Sequence, residues 1–189
     1  MKRSIFVIAL FCYFAGLASQ AHAQEFAPLA FTQFRGINIE GGLEEFAFSD
    51  DEYVVYQPGF VLNSCELRVW LIFDFELDTD QPSELFVSYE TSVDTPNIFL
   101  AMHAVDWAGS PFNFDETIVD FGDHPCGVGS EEVPFGFDAV RTIDLSDRIP
   151  RIVEPLTGNV RLRLGWDNRG FLALINPWNL EIDQVALFK

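Results

Sequence analysis

The sequence predicts an all-β fold, a single domain built as a two-sheet antiparallel β-sandwich. Three observations carry that reading. Residues 67–77 alternate strictly, with Leu67, Val69, Leu71, Phe73, Phe75 and Leu77 on one side and Arg68, Trp70, Ile72, Asp74 and Glu76 on the other. Successive side chains of a strand point to opposite faces, so period two marks a strand with one buried face. Turn-forming pairs recur along the chain, and no window of about 12 residues beyond the N-terminal segment shows the 3.6-residue period of an amphipathic helix.

The elements follow in order. Short strands are expected near Phe34–Ile39 and Tyr53–Tyr56, separated by Gly41-Gly42, and the long strand 67–77 comes after Gln57-Pro58-Gly59. Thr79-Asp80-Gln81-Pro82 turns the chain into Leu85–Glu90, and Asp94-Thr95-Pro96-Asn97 turns it into Ile98–Val105. Thr117–Phe121 and Phe135–Leu145 come next, then one helical turn at Ser146–Ile149 stopped by Pro150. Val160–Trp166 repeats the clean alternation, with Arg161 and Arg163 outward and Trp166 inward. Phe171–Ile175 and Glu181–Phe188 complete about nine to eleven strands, too many for a small barrel and suited to two packed sheets.

The first 23 residues read as a secretory signal peptide. Lys2 and Arg3 precede an apolar run from Ile5 to Leu17, and Ala21-His22-Ala23 supplies the small residues of a cleavage site. The run is too short for a spanning helix, so a secreted or periplasmic protein without membrane insertion is expected. Removing 23 of the 189 residues leaves 166, residues 24–189, with nine basic side chains against 29 acidic ones and a net charge of −20. So acidic a chain argues against a nucleic-acid partner, whose phosphates demand a basic face. It attracts divalent cations and favours a neutral over an anionic ligand. Two cysteines remain, Cys65 and Cys126, and an oxidising compartment pairs them in a disulfide.

Two segments carry a family resemblance. Gly41-Gly42-Leu43-Glu44 and Ile182-Asp183-Gln184-Val185-Ala186-Leu187 resemble the opening segment and closing strand of galactose-binding-like jelly rolls used as carbohydrate-binding modules. The resemblance implies a jelly-roll sandwich whose first and last strands are neighbours. It also implies a structural calcium ion held by Glu44 and Asp183, with Glu40 as a third ligand. Leu43 stands where that family has Phe. A second likeness, Glu181-Ile182-Asp183-Gln184-Val185, is similar to the catalytic strand of sandwich-fold glucanases, but Ala186 occupies the position of the third carboxylate.

Candidate ligand contacts come from tryptophans in turn-rich segments, Asp106-Trp107-Ala108-Gly109 and Asn176-Pro177-Trp178-Asn179. A ring face covers sugar C–H groups while polar neighbours take hydroxyls, so Trp107, Trp178, Asn176 and Asn179 are the expected ligand-binding residues. The leading expectation is an exported, non-catalytic carbohydrate-binding sandwich. A structural or adhesive surface protein would instead show a contiguous apolar patch. A small glycan hydrolase or lyase would need convergent carboxylates or a His/Tyr/Arg cluster in one cleft. The sequence leaves ligand identity and oligomeric state open.

Overall fold

The computed structural model describes residues 23–47, 50, 52–58, 68–111, 113–119, 131–136, 139–168 and 178–189. Among the described residues twelve strands form two antiparallel six-stranded sheets. Sheet A takes β10 (Ala139–Asp144), β6 (Phe86–Val93), β12 (Leu180–Phe188), β4 (Val54–Gln57) and β3 (Ile37–Glu40) in that order, with β1 (Glu25–Phe26) also on β12. Sheet B takes β2 (Ala30–Arg35), β5 (Arg68–Glu76), β11 (Asn159–Asn168), β7 (Ile98–Ala104) and β8 (Glu116–Val119), with β9 (Glu131–Glu132) on β7. The chain crosses between the sheets at eight of the eleven steps between these strands, so the fold is the expected two-sheet jelly roll. The first and last strands are neighbours, Glu25 opposite Phe188 and Phe26 opposite Leu187.

The alternation that predicts β5 and β11 is what the core uses. Val69, Leu71, Phe73 and Phe75 of β5 and Val160, Leu162, Leu164 and Trp166 of β11 are all buried between the sheets. Facing them from sheet A are Val54, Tyr56, Val87, Tyr89, Ile182, Val185 and Leu187. Phe46 stands edge-on to Phe31 at 5.1 Å and to Phe73 at 5.0 Å, anchoring the 3₁₀ turn Glu44–Phe46 to the core.

Two local expectations are corrected. Residues 34–39 do not form one strand. Gly36 has φ +102°, a conformation that side chains with a Cβ rarely adopt, and there the chain leaves β2 in sheet B to enter β3 in sheet A. Nor does Pro150 stop a helical turn. A 3₁₀ turn at Ser146–Arg148 runs into an α-helical turn, Ile149–Ile152, with Pro150 in its first turn. There the missing N–H costs nothing, because the first amides of a helix have no internal acceptor. The expected strand 171–175 and the Cys65–Cys126 pair lie outside the described residues.

Candidate functional site

Trp107 belongs to a loop that Asp106 builds. The Asp106 carboxylate accepts hydrogen bonds from the Ala108 N–H at 3.1 Å and the Gly109 N–H at 3.0 Å, while its carbonyl accepts from Ser110 N–H at 2.9 Å. Gly109 is required, because a Cβ there would lie 2.6 Å from the Asp106 carboxylate. Arg151 donates to the other carboxylate oxygen and pairs with Glu116 at 2.6 Å, and Arg148 reaches Glu116 at 3.4 Å. The Arg151 hydrogen bond, aided by the two loop amides, holds the Asp106 carboxyl below the usual carboxylate range against desolvation. The Trp107 backbone N–H donates to the Arg151 carbonyl at 2.7 Å, fixing where the side chain leaves the backbone.

The indole lines a cavity of about 300 Å³ with Leu29, Ala30, Asp74, Asn159 and Arg161 among its walls. Asp74 and Arg161 face each other across β5 and β11 and form an ion pair. Leu29 is 60% exposed at the rim. The cavity therefore joins an aromatic ring, an aliphatic edge and several polar groups, the mixture that sugar rings require.

The other expected contacts are placed differently. Trp178 is 1% exposed and packs in the core, so it offers no ring face to a ligand. Its turn-like sequence context gave no sign of that burial. Asn179 ties strands together: its side chain accepts from Gln57 Nε2 at 2.8 Å and its N–H donates to Asp94 at 2.8 Å. Asn176 lies outside the described residues.

Glu40, Glu45, Glu52 and Glu181 line a second cavity of about 490 Å³ with Gly41, Tyr53 and Val55. Glu45 accepts from the Gly42 N–H at 2.8 Å and Glu181 from the Ser92 hydroxyl at 2.8 Å. The resemblance-derived calcium set does not assemble here. Glu44 is exposed, and Asp183 is 1% exposed beside a bulge of β12, accepting from the Asp50 N–H at 3.3 Å. Among the described residues, no group of three His, Cys, Asp or Glu side chains is placed to hold a metal ion. That bulge, between Ile182 and Gln184, also breaks the alternation on which the glucanase-like strand relies.

A third feature escaped the sequence reading. Across the outer face of sheet B, guanidinium groups and aromatic rings interleave. Arg35 lies 6.0 Å from the Phe34 ring centre and 5.8 Å from that of Trp70. Arg163 lies 4.6 Å from Trp70 and 4.9 Å from Phe114. Trp70 lies over Gly165, where an added Cβ would meet its Nε1 at 2.8 Å. The outward positions of Trp70 and Arg163 were legible; the register that sets Trp70 beside Gly165 was not.

Among the described residues no helix is long and apolar enough to cross a membrane. The sequence matches no family model. It matches no curated protein either. Solved structures do match. The structure of PfGH50B superposes with a TM-score of 0.50 at 10% identity, over 89% of this chain and 24% of that one. CBM29_1, a family 29 carbohydrate-binding module from Piromyces equi, gives 0.39 at 9% identity over 88% of this chain and 89% of that one. The C-terminal CBM6 of LamC, a marine laminarinase from Zobellia galactanivorans, gives 0.36 at 12% identity over 89% and 100%. This chain spans about a quarter of the length of PfGH50B. What this chain shares with PfGH50B is the two-sheet β-sandwich fold.

Proposed function

We propose that this chain is an exported, non-catalytic carbohydrate-binding β-sandwich, and that a neutral sugar ring docks in the Trp107 cleft. The observation that supports it is the half-buried indole, held by the Asp106–Arg151 loop, in an open cavity with Asn159, Asp74 and Arg161. Stacking a sugar face on the ring buries some tens of Å² of apolar area, worth on the order of 1–2 kcal/mol at about 25 cal/mol per Å². Trp107→Ala should therefore weaken binding about tenfold or more while circular dichroism stays unchanged. A glycan array followed by calorimetry tests this, and binding indifferent to Trp107→Ala would move the site elsewhere. Export and a Cys65–Cys126 disulfide belong to the same proposal. Mass spectrometry of the exported protein checks both, through its N-terminus and its alkylatable thiols.

Calcium stays in the proposal only as a cation that so acidic a chain attracts, since among the described residues no three carboxylates, Glu40, Glu44 and Asp183 included, are grouped to hold it. Melting with calcium and with chelator tests this. A higher midpoint with calcium supports it, and an unchanged one removes the ion. A second reading, adhesion through protein contacts, is favoured by one observation. Phe34, Ile37 and Ile39 are 62%, 52% and 53% exposed along the β2–β3 segment, and β3 ends sheet A. Concentration-dependent association abolished by Ile37→Lys would support that reading.

A further inference from the structure

We propose that the glycan carries an oxyanion, either a sulfate ester or a carboxylate, and that Arg163 receives it on the outer face of sheet B. This inference rests on the carbohydrate-binding reading and narrows its ligand class.

The argument starts from where the positive charge lies. A chain with 29 acidic residues could scatter its few cations over the surface as counter-charges. Arg141 lies on β10 of sheet A, and Arg148 and Arg151 on the helical turns, but Arg35, Arg161 and Arg163 share sheet B. Arg161 is neutralised by Asp74. Arg163 is not: no carboxylate lies within ion-pair distance of it among the described residues, and its Nε–H is buried without an acceptor. Its neighbours are two rings, Trp70 at 4.6 Å and Phe114 at 4.9 Å. Burial pulls the guanidinium below its ordinary range, and the more distant Asp115 charge opposes that shift. The group remains a cation at any physiological pH.

A guanidinium stripped of part of its water and given no acid among the described residues is a poor structural element, because a buried donor without an acceptor is costly. Two rings keep it planar and in place but satisfy none of its five N–H donors. A tetrahedral sulfate or planar carboxylate accepts two parallel hydrogen bonds from such a fork, which no neutral hydroxyl can do.

The position agrees with the sugar cleft. Arg163 is two residues along β11 from Arg161, a wall of the Trp107 cavity, and both side chains leave the same face. That step is about 6.6–6.8 Å, of the order of one sugar ring. One ring on Trp107 thus sets a charged substituent of the next within reach of Arg163. Trp70 is not itself a platform. It lies over Gly165 and under Arg163, so its role is to hold the guanidinium. The net charge of −18 argues against anionic ligands only when charge is averaged over the surface; at this face the local cation decides.

The test uses the whole exported protein and four probes: a sulfated galactan oligosaccharide, the same oligosaccharide desulfated, a polyuronate oligosaccharide, and inorganic sulfate as competitor. Calorimetry at low ionic strength should show one of the charged oligosaccharides binding about tenfold or more tighter than the desulfated one, with sulfate competing. Tight binding of the sulfated form identifies a sulfate ester, and tight binding of the polyuronate identifies a carboxylate. Arg163→Gln should remove that excess and leave affinity for the desulfated probe unchanged. Arg163→Lys should keep only part of it, because a point charge cannot form the fork. If Arg163→Gln fails to fold, sulfate competition against wild type and the Lys variant still decide. Equal binding of charged and desulfated probes, still weakened by Trp107→Ala, overturns the oxyanion and leaves the glycan reading standing. No binding to any oligosaccharide overturns both.

Discussion

The acid-lined cavity of sheet A and the arginine–aromatic face of sheet B are both built around a glycine, and the two glycines answer to different neighbours. At Gly41 a Cβ would lie 2.8 Å from the Tyr53 carbonyl oxygen and 2.8 Å from Val54 Cα, and φ is +87°. At Gly165 the clash would be with the Trp70 side chain, in ordinary strand geometry. Backbone cannot yield, whereas a ring can tilt. The acidic cavity is therefore fixed by the main chain, and its charges ride on it. The basic face is fixed by side chains leaning on one another, and its shape can be edited.

That contrast sets the largest expected effect. Gly41→Ala combines left-handed strain of about 1–2 kcal/mol with backbone overpacking of about 1–3 kcal/mol. A loss of about 2–5 kcal/mol follows, and thermal melting reads it at about 2–4 °C per kcal/mol for a domain of this size. A variant that melts like wild type would show that the β3–β4 connection is not anchored at Gly41.

Gly165→Ala comes second. Trp70 must move by some tenths of an ångström, at about 1–3 kcal/mol. The informative readout is coupling rather than size. Because Trp70 carries Arg163, Gly165→Ala should reduce the preference for a charged glycan along with stability, while binding to the Trp107 cleft persists. Loss of stability with an intact charge preference would separate the ring from the guanidinium.

The pH response comes next. Asp106 has a lowered pKa in the folded protein, so its contribution is fully present above the ordinary carboxylate value and is lost as pH falls through the folded value. Acidification from neutral pH to below the ordinary carboxylate value should therefore loosen the Trp107 loop. Glycan affinity of wild type should fall over that range relative to its value at neutral pH, and Asp106→Asn should already be weak at pH 7. Equal affinity of the two proteins at pH 7 would sink the assignment of the loop to Asp106.

Much of this architecture was legible in the sequence, for a local reason. Period two in 67–77 and 160–166 reports burial of one face, and burial of that face is what the sandwich consists of. The break at Gly36 was hidden because β-branched and aromatic residues continue on both sides of it, and positive φ leaves no mark beyond the glycine itself. Trp178 misled because a Pro-Asn context reads as a surface turn, although the ring belongs to the core. Trp107 sits in the same kind of context, yet Asp106 and Arg151 hold it at a cavity. The aromatic–arginine row depends on which residues of β2, β5 and β11 stand side by side. Register is a long-range property that no single strand encodes.

The smallest expected effect lies where the two regions differ least, at an exposed charge pair. The Asp74 and Arg161 side chains are 31% and 48% exposed, so water screens their attraction, and both long side chains must be ordered to form it. A double-mutant cycle with Asp74→Asn and Arg161→Gln should give a coupling of about 0.2–1 kcal/mol in low salt, shrinking as ionic strength rises and the screening length shortens. For glycan binding the pair should matter more than for stability, because Arg161 and Asp74 are walls of the Trp107 cleft and offer a donor and an acceptor to hydroxyls. Either single variant should therefore weaken binding of a neutral oligosaccharide by a few-fold while the midpoint of melting barely moves. If stability fell and affinity held, the pair would be a strut between β5 and β11, and the cleft would read its ligand through the indole and Asn159 alone.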